Sequence, residues 1–120
     1  QGSLAVTVPG GDMRAYLTAL RRLHARDPPA LFPGHGPVID DPRATLERLI
    51  RHRKRRQVRV VAAVQHGAGR LETVVDGAYE KDLTGVRSMA RGTVQAHLRK
   101  LDAEGRVRWN ERGGEATPAE

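Results

Sequence analysis

Between Asp41-Pro42 and Gly67 the chain runs without a glycine or a proline. Asp41 offers a carboxylate cap, and Pro42 suits the first turn of a helix. Leu46, Leu49, Ile50, Val60, Val61 and Val64 then carry an apolar stripe at helical spacing as far as Gln65. The pattern predicts one long helix, and the rest of the chain has to pack along it.

Upstream, Leu4 to Val8 is a short β-branched run stopped by Pro9-Gly10-Gly11, which predicts a strand ending in a turn. Asp12 precedes Met13, Tyr16, Leu17, Leu20 and Leu23, a capped helical pattern expected to run from Met13 to Ala25. Asp27-Pro28-Pro29 breaks it, and Ala30-Leu31-Phe32 predicts a second short strand before the loop Pro33-Gly34-His35-Gly36-Pro37. Downstream, Leu71, Val74, Val75, Ala78 and Tyr79 mark a short helix. Val86, Ala90, Val94, His97, Leu98 and Leu101 mark another, ending at Gly105. Val107-Arg108-Trp109 alternates as a strand, Asn110 to Gly114 supply turn residues, and the Thr-Pro-Ala-Glu tail is expected to fray. Three helices followed by a short hairpin is the order of a winged helix-turn-helix. No internal repeat is present.

The 120 residues include no cysteine, so any metal would be held by His, Asp or Glu. No apolar run approaches membrane length, and the start lacks the basic-then-apolar order of a signal peptide, so a soluble, cytoplasmic protein without a membrane partner is expected. The net charge of +7 is unevenly placed. Residues 1–42 hold four basic and four acidic side chains, whereas the remainder holds seventeen basic against ten acidic. A neutral front and a basic back point to different partners, the second a polyanion.

The basic residues fall into two groups. Arg51, Arg53, Lys54, Arg55, Arg56 and Arg59 crowd the long helix, with His52 among them. Such density fits a polyanion contact, although for any single residue a solvated face, its stem lying along apolar surface, comes first. If the last helix were a recognition helix, Arg87, Ser88, Arg91, Gln95, Arg99 and Lys100 would face a nucleic acid, with Arg106, Arg108 and Arg112 on the wing. Winged helices are also reused as dimerisation and substrate-covering modules, so the pattern leaves those roles open. His97, at an apolar helix position, is expected to be packed and hydrogen-bonded, His24 and His66 to meet helix-end carbonyls, and Trp109 to pack on the helices.

His35 stands between two glycines with prolines beyond, which frees the backbone and leaves the imidazole unshielded. On residue type alone this fits a hydrogen-bonded loop histidine at least as well as a metal ligand. The wider context adds a resemblance. Gly10-Gly11-Asp12, Tyr16-Leu17, Leu20, the run Leu31 to Ile39 and His52-Arg53 resemble the end of a metallo-β-lactamase-fold domain in hydrolases of the β-lactamase-like protein 2 type. Ala78-Tyr79, Ala96-His97-Leu98, Lys100-Leu101 and Glu104-Gly105-Arg106-Val107 are similar to the winged-helix domain attached to it. The chain has Arg56-Gln57 where that family commonly has Arg-Glu.

The resemblance implies an α+β chain: the end of an αββα metallo-β-lactamase domain over residues 1–42, a connecting helix over 43–66, a winged-helix domain over 67–115 and a disordered tail over 116–120. It implies that His35 is the last histidine ligand of a two-zinc site whose bound hydroxide attacks an ester, thioester, lactam-like or phosphodiester substrate. The family's His-x-His-x-Asp-His motif does not occur in this sequence. A lone imidazole leaves most of zinc's roughly four coordination positions to water. The piece by itself is therefore expected to bind zinc weakly and to be inactive, and to need the rest of the metallo-β-lactamase domain as a partner. RNA or another phosphate-bearing substrate, and a second copy of the chain, are the further expected partners. The alternative is a winged-helix nucleic-acid-binding module whose front half is only support.

Overall fold

The computed structural model describes residues 12–28, 30 and 41–119. The strands expected at 4–8 and 30–32, and the loop bearing His35, lie outside these residues apart from Ala30. Helix α1 spans Met13–Arg26, opened by Asp12, whose carboxylate accepts the Ala15 amide at 2.9 Å. Asp27 closes it in the left-handed region, its amide returning to the His24 carbonyl. Helix α2 spans Pro42–Gln65, with Asp41 accepting the Ala44 amide at 3.2 Å and Pro42 in the first turn. At about 1.5 Å of rise per residue it is about 36 Å long.

Helices α3 (Leu71–Ala78) and α4 (Arg87–Ala103) follow, then strands β1 (Val107–Asn110) and β2 (Glu115–Pro118). Gly105, at φ +74°, ends α4 by donating to the Asp102 carbonyl while the Arg106 amide reaches Leu101. That left-handed residue turns the chain sharply into β1. The strands pair antiparallel, with Val107 opposite Pro118 and Trp109 opposite Ala116. Residues 69–71 join the hairpin from the other side, since the Ala116 amide donates to Gly69 and the Leu71 amide to the Gly114 carbonyl. The start of α3 is thereby tied to the wing.

Two apolar cores meet along α2. Leu46 and Leu49 pack with Met13, Leu17 and Leu20 of α1 and with Ala96 of α4. Eleven residues beyond Leu49, Val60 and then Val64 join Val74 and Val75 of α3, Val94, Leu98 and Leu101 of α4, and Val107 and Ala116 of the hairpin. Helix α2 is thus a wall of both cores and not only a connection.

Two expectations need correction. Among the described residues the fold is mostly helical with a single two-stranded sheet, so the αββα layers implied by the resemblance are not represented there. Residues 116–118 of the expected disordered tail form strand β2, with Ala116 only 1% exposed. The reason is tertiary: a small side chain opposite Trp109 fits the core, and Pro118 sits at the strand end, where its missing amide costs no ladder bond.

Helices α2 and α3 approach closely at Gly77, where an added β-carbon would lie 2.9 Å from the Ala63 β-carbon. Substituting Gly77→Val should force these helices apart and cost about 1–3 kcal/mol, the usual range for overpacking. Urea denaturation followed by circular dichroism measures it; an unchanged midpoint would show that the contact yields freely.

Candidate functional site

The basic residues were the candidates that the described structure reaches, and it sorts them into different tasks. On α2, Arg53 is 6% exposed, so it does not present itself to an outside polyanion. Its guanidinium lies over the Tyr16 ring, 5.4 Å from the centroid, and hydrogen-bonds the phenol. Burial raises the Tyr16 pKa, and the arginine charge works against that rise.

Arg56 and Arg59, one turn further on, are half-buried and reach across to α3. Both donate to the Ala78 carbonyl, Arg59 through Nε at 3.1 Å, and Arg59 also reaches the Gly77 carbonyl. Helix α3 has no basic residue in its own last turn, so α2 supplies the positive charge that its carbonyl end favours. Arg56 also stacks on Tyr79 at 3.7 Å from the ring centroid, and Arg59 pairs with Glu80 at 2.8 Å. Arg51, Lys54 and Arg55 remain exposed.

The expected recognition face of α4 is largely neutralised from within. Arg87 pairs with Glu72 at 2.9 Å and with Asp76 at 2.8 Å, and Arg91 shares Glu72. Arg99 forms a two-pronged contact with Glu111 at 2.7 and 2.8 Å. Lys100 pairs with Glu104 at 2.9 Å and donates to Gln57 at 3.0 Å, so the glutamine standing where the family has Glu still accepts this lysine. Sequence spacing showed the cations on one helix face and the i,i+4 pair of Lys100 with Glu104, but the carboxylates facing Arg87, Arg91 and Arg99 come from α3 and the turn, which periodicity within α4 does not reveal. On the wing, Arg106, Arg108 and Arg112 are exposed and make no ion pair among the described residues.

The histidines divide similarly. His66 behaves as expected, its Nδ1 lying 2.6 Å from the Ala62 carbonyl. His24 pairs instead with Glu47 of α2 at 2.8 Å. His97 is fully buried, as expected, yet neither ring nitrogen has a hydrogen-bond partner among the described residues, which corrects the hydrogen-bonded expectation. Burial, reinforced by the charges of Arg53, Lys100 and Arg56, depresses its pKa to about 3. The ring is therefore neutral and fully buried on α4. Trp109 packs against the larger core and donates its indole N–H to Glu111 at 2.7 Å.

Asp27 at the end of α1 and Arg43 at the start of α2 pair at 3.1 Å. In sequence they flank the stretch containing His35, and the His24–Glu47 contact lies just behind them. Hydrogen bonding from Arg43 holds the Asp27 carboxyl below its ordinary pKa. His35 itself lies outside the described residues. Among those that are described, no group of three or more His, Asp or Glu side chains could hold a metal ion, so they do not make up a zinc site. No described helix is long and apolar enough to cross a membrane.

A short helix tied to a two-stranded wing, followed by a longer helix, is the arrangement of a winged helix. Residues 72–115 match the model of the Beta-lactamase associated winged helix domain. These residues form that domain. Over 100 residues the chain is 32% identical to a Beta-lactamase-like protein 2 homolog of Drosophila melanogaster, a match covering 81% of this chain and 34% of that protein. A Beta-lactamase-like protein 2 homolog of Caenorhabditis elegans is 29% identical over 97 residues, covering 80% and 33% respectively. The chain is thus similar to β-lactamase-like protein 2 homologues, and it spans about a third of their length.

Two measurements test this account. For Glu111, hydrogen bonds from Arg99 and then Trp109 depress the carboxyl pKa to about 2. A depressed acid stabilises above its unfolded pKa and loses that contribution as pH falls through the folded value. The difference in melting temperature between the wild type and Glu111→Gln should therefore be largest near neutrality and close by about pH 2; a gap independent of pH would contradict the assignment. For His97, replacement by leucine removes two buried unpaired nitrogens and should stabilise by about 1–2 kcal/mol at neutral pH. Because the folded pKa is depressed, wild-type stability falls as pH drops from 6.5 towards about 3, so the advantage of His97→Leu should widen there. A destabilised variant at pH 5 would refute this.

Proposed function

We propose that the chain is part of a zinc-dependent hydrolase of the metallo-β-lactamase superfamily, acting on an ester, thioester, lactam-like or phosphodiester bond. His35 contributes one ligand to a metal site otherwise built by residues this sequence does not contain. The reading rests on the similarity to β-lactamase-like protein 2 homologues, and one structural observation carries it further: the Asp27–Arg43 pair flanking the His35 stretch. That pair sits beside the apolar cluster joining α1, α2 and α4, so the two ends of the stretch are fixed relative to the winged-helix domain. A ligand-bearing segment needs such a fixed base, because a small displacement of a metal ligand is costly. Since the described residues form no metal site, their contribution is to hold that base and to present a surface beside it.

The exposed Arg51, Lys54 and Arg55 favour a phosphate-bearing substrate among the bonds named, with RNA one such polymer. Free-standing nucleic-acid recognition through α4 is the less supported role. Arg87, Arg91, Arg99 and Lys100 already neutralise carboxylates, and a phosphate would have to displace them.

The test uses the complete protein that contains this chain. His35→Ala should abolish zinc-dependent hydrolysis while leaving the helical circular dichroism of the 120-residue chain unchanged. Zinc titrated into that chain alone should bind weakly, without a stoichiometric endpoint. Full activity in the variant would remove His35 from the site and the hydrolase reading with it.

A further inference from the structure

A groove of about 260 Å³ runs between α2 and the segment after α3, lined by His52, Arg55, Arg56, Arg59, Glu80 and Lys81. The four α2 residues fall at i, i+3, i+4 and i+7, the spacing of a single helix face. They therefore converge and do not ring the helix. Lys81 brings a further cation from the opposite wall, and among the described residues Glu80 is the one carboxylate in the lining.

Like charges packed this closely repel, and a protein tolerates that where something offsets it. The local electrostatics carry that signature. The His52 pKa is lowered, first by burial and then by Arg56, Arg53, Lys81 and Arg55, all of them cations. The Arg56 pKa is also lowered, chiefly by burial, with Arg59 and Arg53 acting in the same direction against Tyr79 and Glu80. Glu80 offsets part of the field by accepting from Arg59, but its side chain is 80% exposed, so it can swing into solvent at little cost. The arginines cannot withdraw so freely, because the Ala78 carbonyl anchors both Arg56 and Arg59. The result is a pair of oriented guanidiniums, flanked by an arginine, a lysine and a histidine, beside a removable carboxylate.

We propose that this groove binds a dianionic phosphate group, either free phosphate or the terminal phosphate of a monoester, at the place where Glu80 pairs with Arg59. A dianion suits it because four permanent cations face one carboxylate, an excess that a singly charged diester would leave largely uncompensated. Binding is coupled to protons. In the free site the surrounding Arg53, Arg55, Arg56 and Lys81 disfavour a charged imidazole, with Glu80 the one opposing carboxylate in the lining. A bound dianion reverses that field, so His52 takes up a proton as the ligand enters; affinity for a dianion that keeps its charge, such as sulfate, rises as pH falls, whereas a phosphate group, whose own second pKa is about 6, gains a proton over the same range. The proposal does not depend on the hydrolase reading, since it concerns residues 52–59 and 80–81 alone.

The experiment follows the His52 ring protons of the 120-residue chain by NMR over pH, in sodium sulfate and in sodium chloride matched for ionic strength. Sulfate is a dianion throughout the titration, so any shift belongs to the protein. The expected result is a higher His52 pKa in sulfate. At fixed pH, inorganic phosphate and phenyl phosphate should both perturb the groove resonances, or phosphate alone if the site takes only the free ion. Dimethyl phosphate should bind at least about tenfold more weakly, as loss of one charge beside oriented cations predicts. The double variant Arg55→Gln with Lys81→Gln removes two exposed side chains that make no packing contact in either core, and should weaken phosphate binding about tenfold. Glu80→Gln should instead tighten it. Identical His52 titrations in the two salts, equal binding of dimethyl phosphate, or an unaltered affinity in the double variant would each overturn the proposal.

Discussion

Helix α2 has to satisfy two cores with one cylinder, and the rest of the molecule is arranged around that demand. Leu46 and Leu49 face α1, whereas Val60 and Val64 face the winged helix, and the turns between them are crowded with arginine. A polar middle between two apolar ends would ordinarily be solvated. Here it is pressed against neighbours, so its charges need particular partners: Tyr16 for Arg53, the α3 carbonyl end and Tyr79 for Arg56, and Glu80 for Arg59. The buried, neutral His97 of α4 lies within the field of Arg53 and Arg56 from the same polar middle.

This arrangement changes the meaning of the positive charge. Net charge read along the chain describes long-range steering, but the local field depends on which cations already hold a carboxylate. Helix α4 looks cationic in sequence and is nearly balanced in space, because Glu72, Asp76, Glu104 and Glu111 stand against its basic groups. The uncompensated charge lies instead on the outer face of α2 and on the wing.

Much of the fold was legible because its signals are local. Asp12 and Asp41 before their helices, Pro42 in the first turn, Gly105 at the end of α4 and the stripes of Leu and Val set the helical boundaries to within a residue or two. What was not legible depends on residues far apart in sequence. The burial of Arg53, the pairing of His24 with Glu47 and the carboxylates meeting Arg87 and Arg99 all arise from contacts between elements. Strand β2 escaped for the same reason, since Glu-Ala-Thr-Pro has no periodicity of its own and becomes a strand only beside Trp109 and Gly69. The candidate metal ligand was visible as a residue type in an open loop, whereas its family context came from similarity and not from composition.

The clasp formed by Asp27 with Arg43, backed by His24 with Glu47, has an evolutionary corollary. Once two helix ends are fastened to each other, lengthening the chain between them adds only about 0.6 kcal/mol of closure entropy for each doubling. On that scale a change of length after Asp27 and before Asp41 costs little as long as the clasp holds. Variation could therefore reshape that stretch from one relative to another while the helices on either side keep their register.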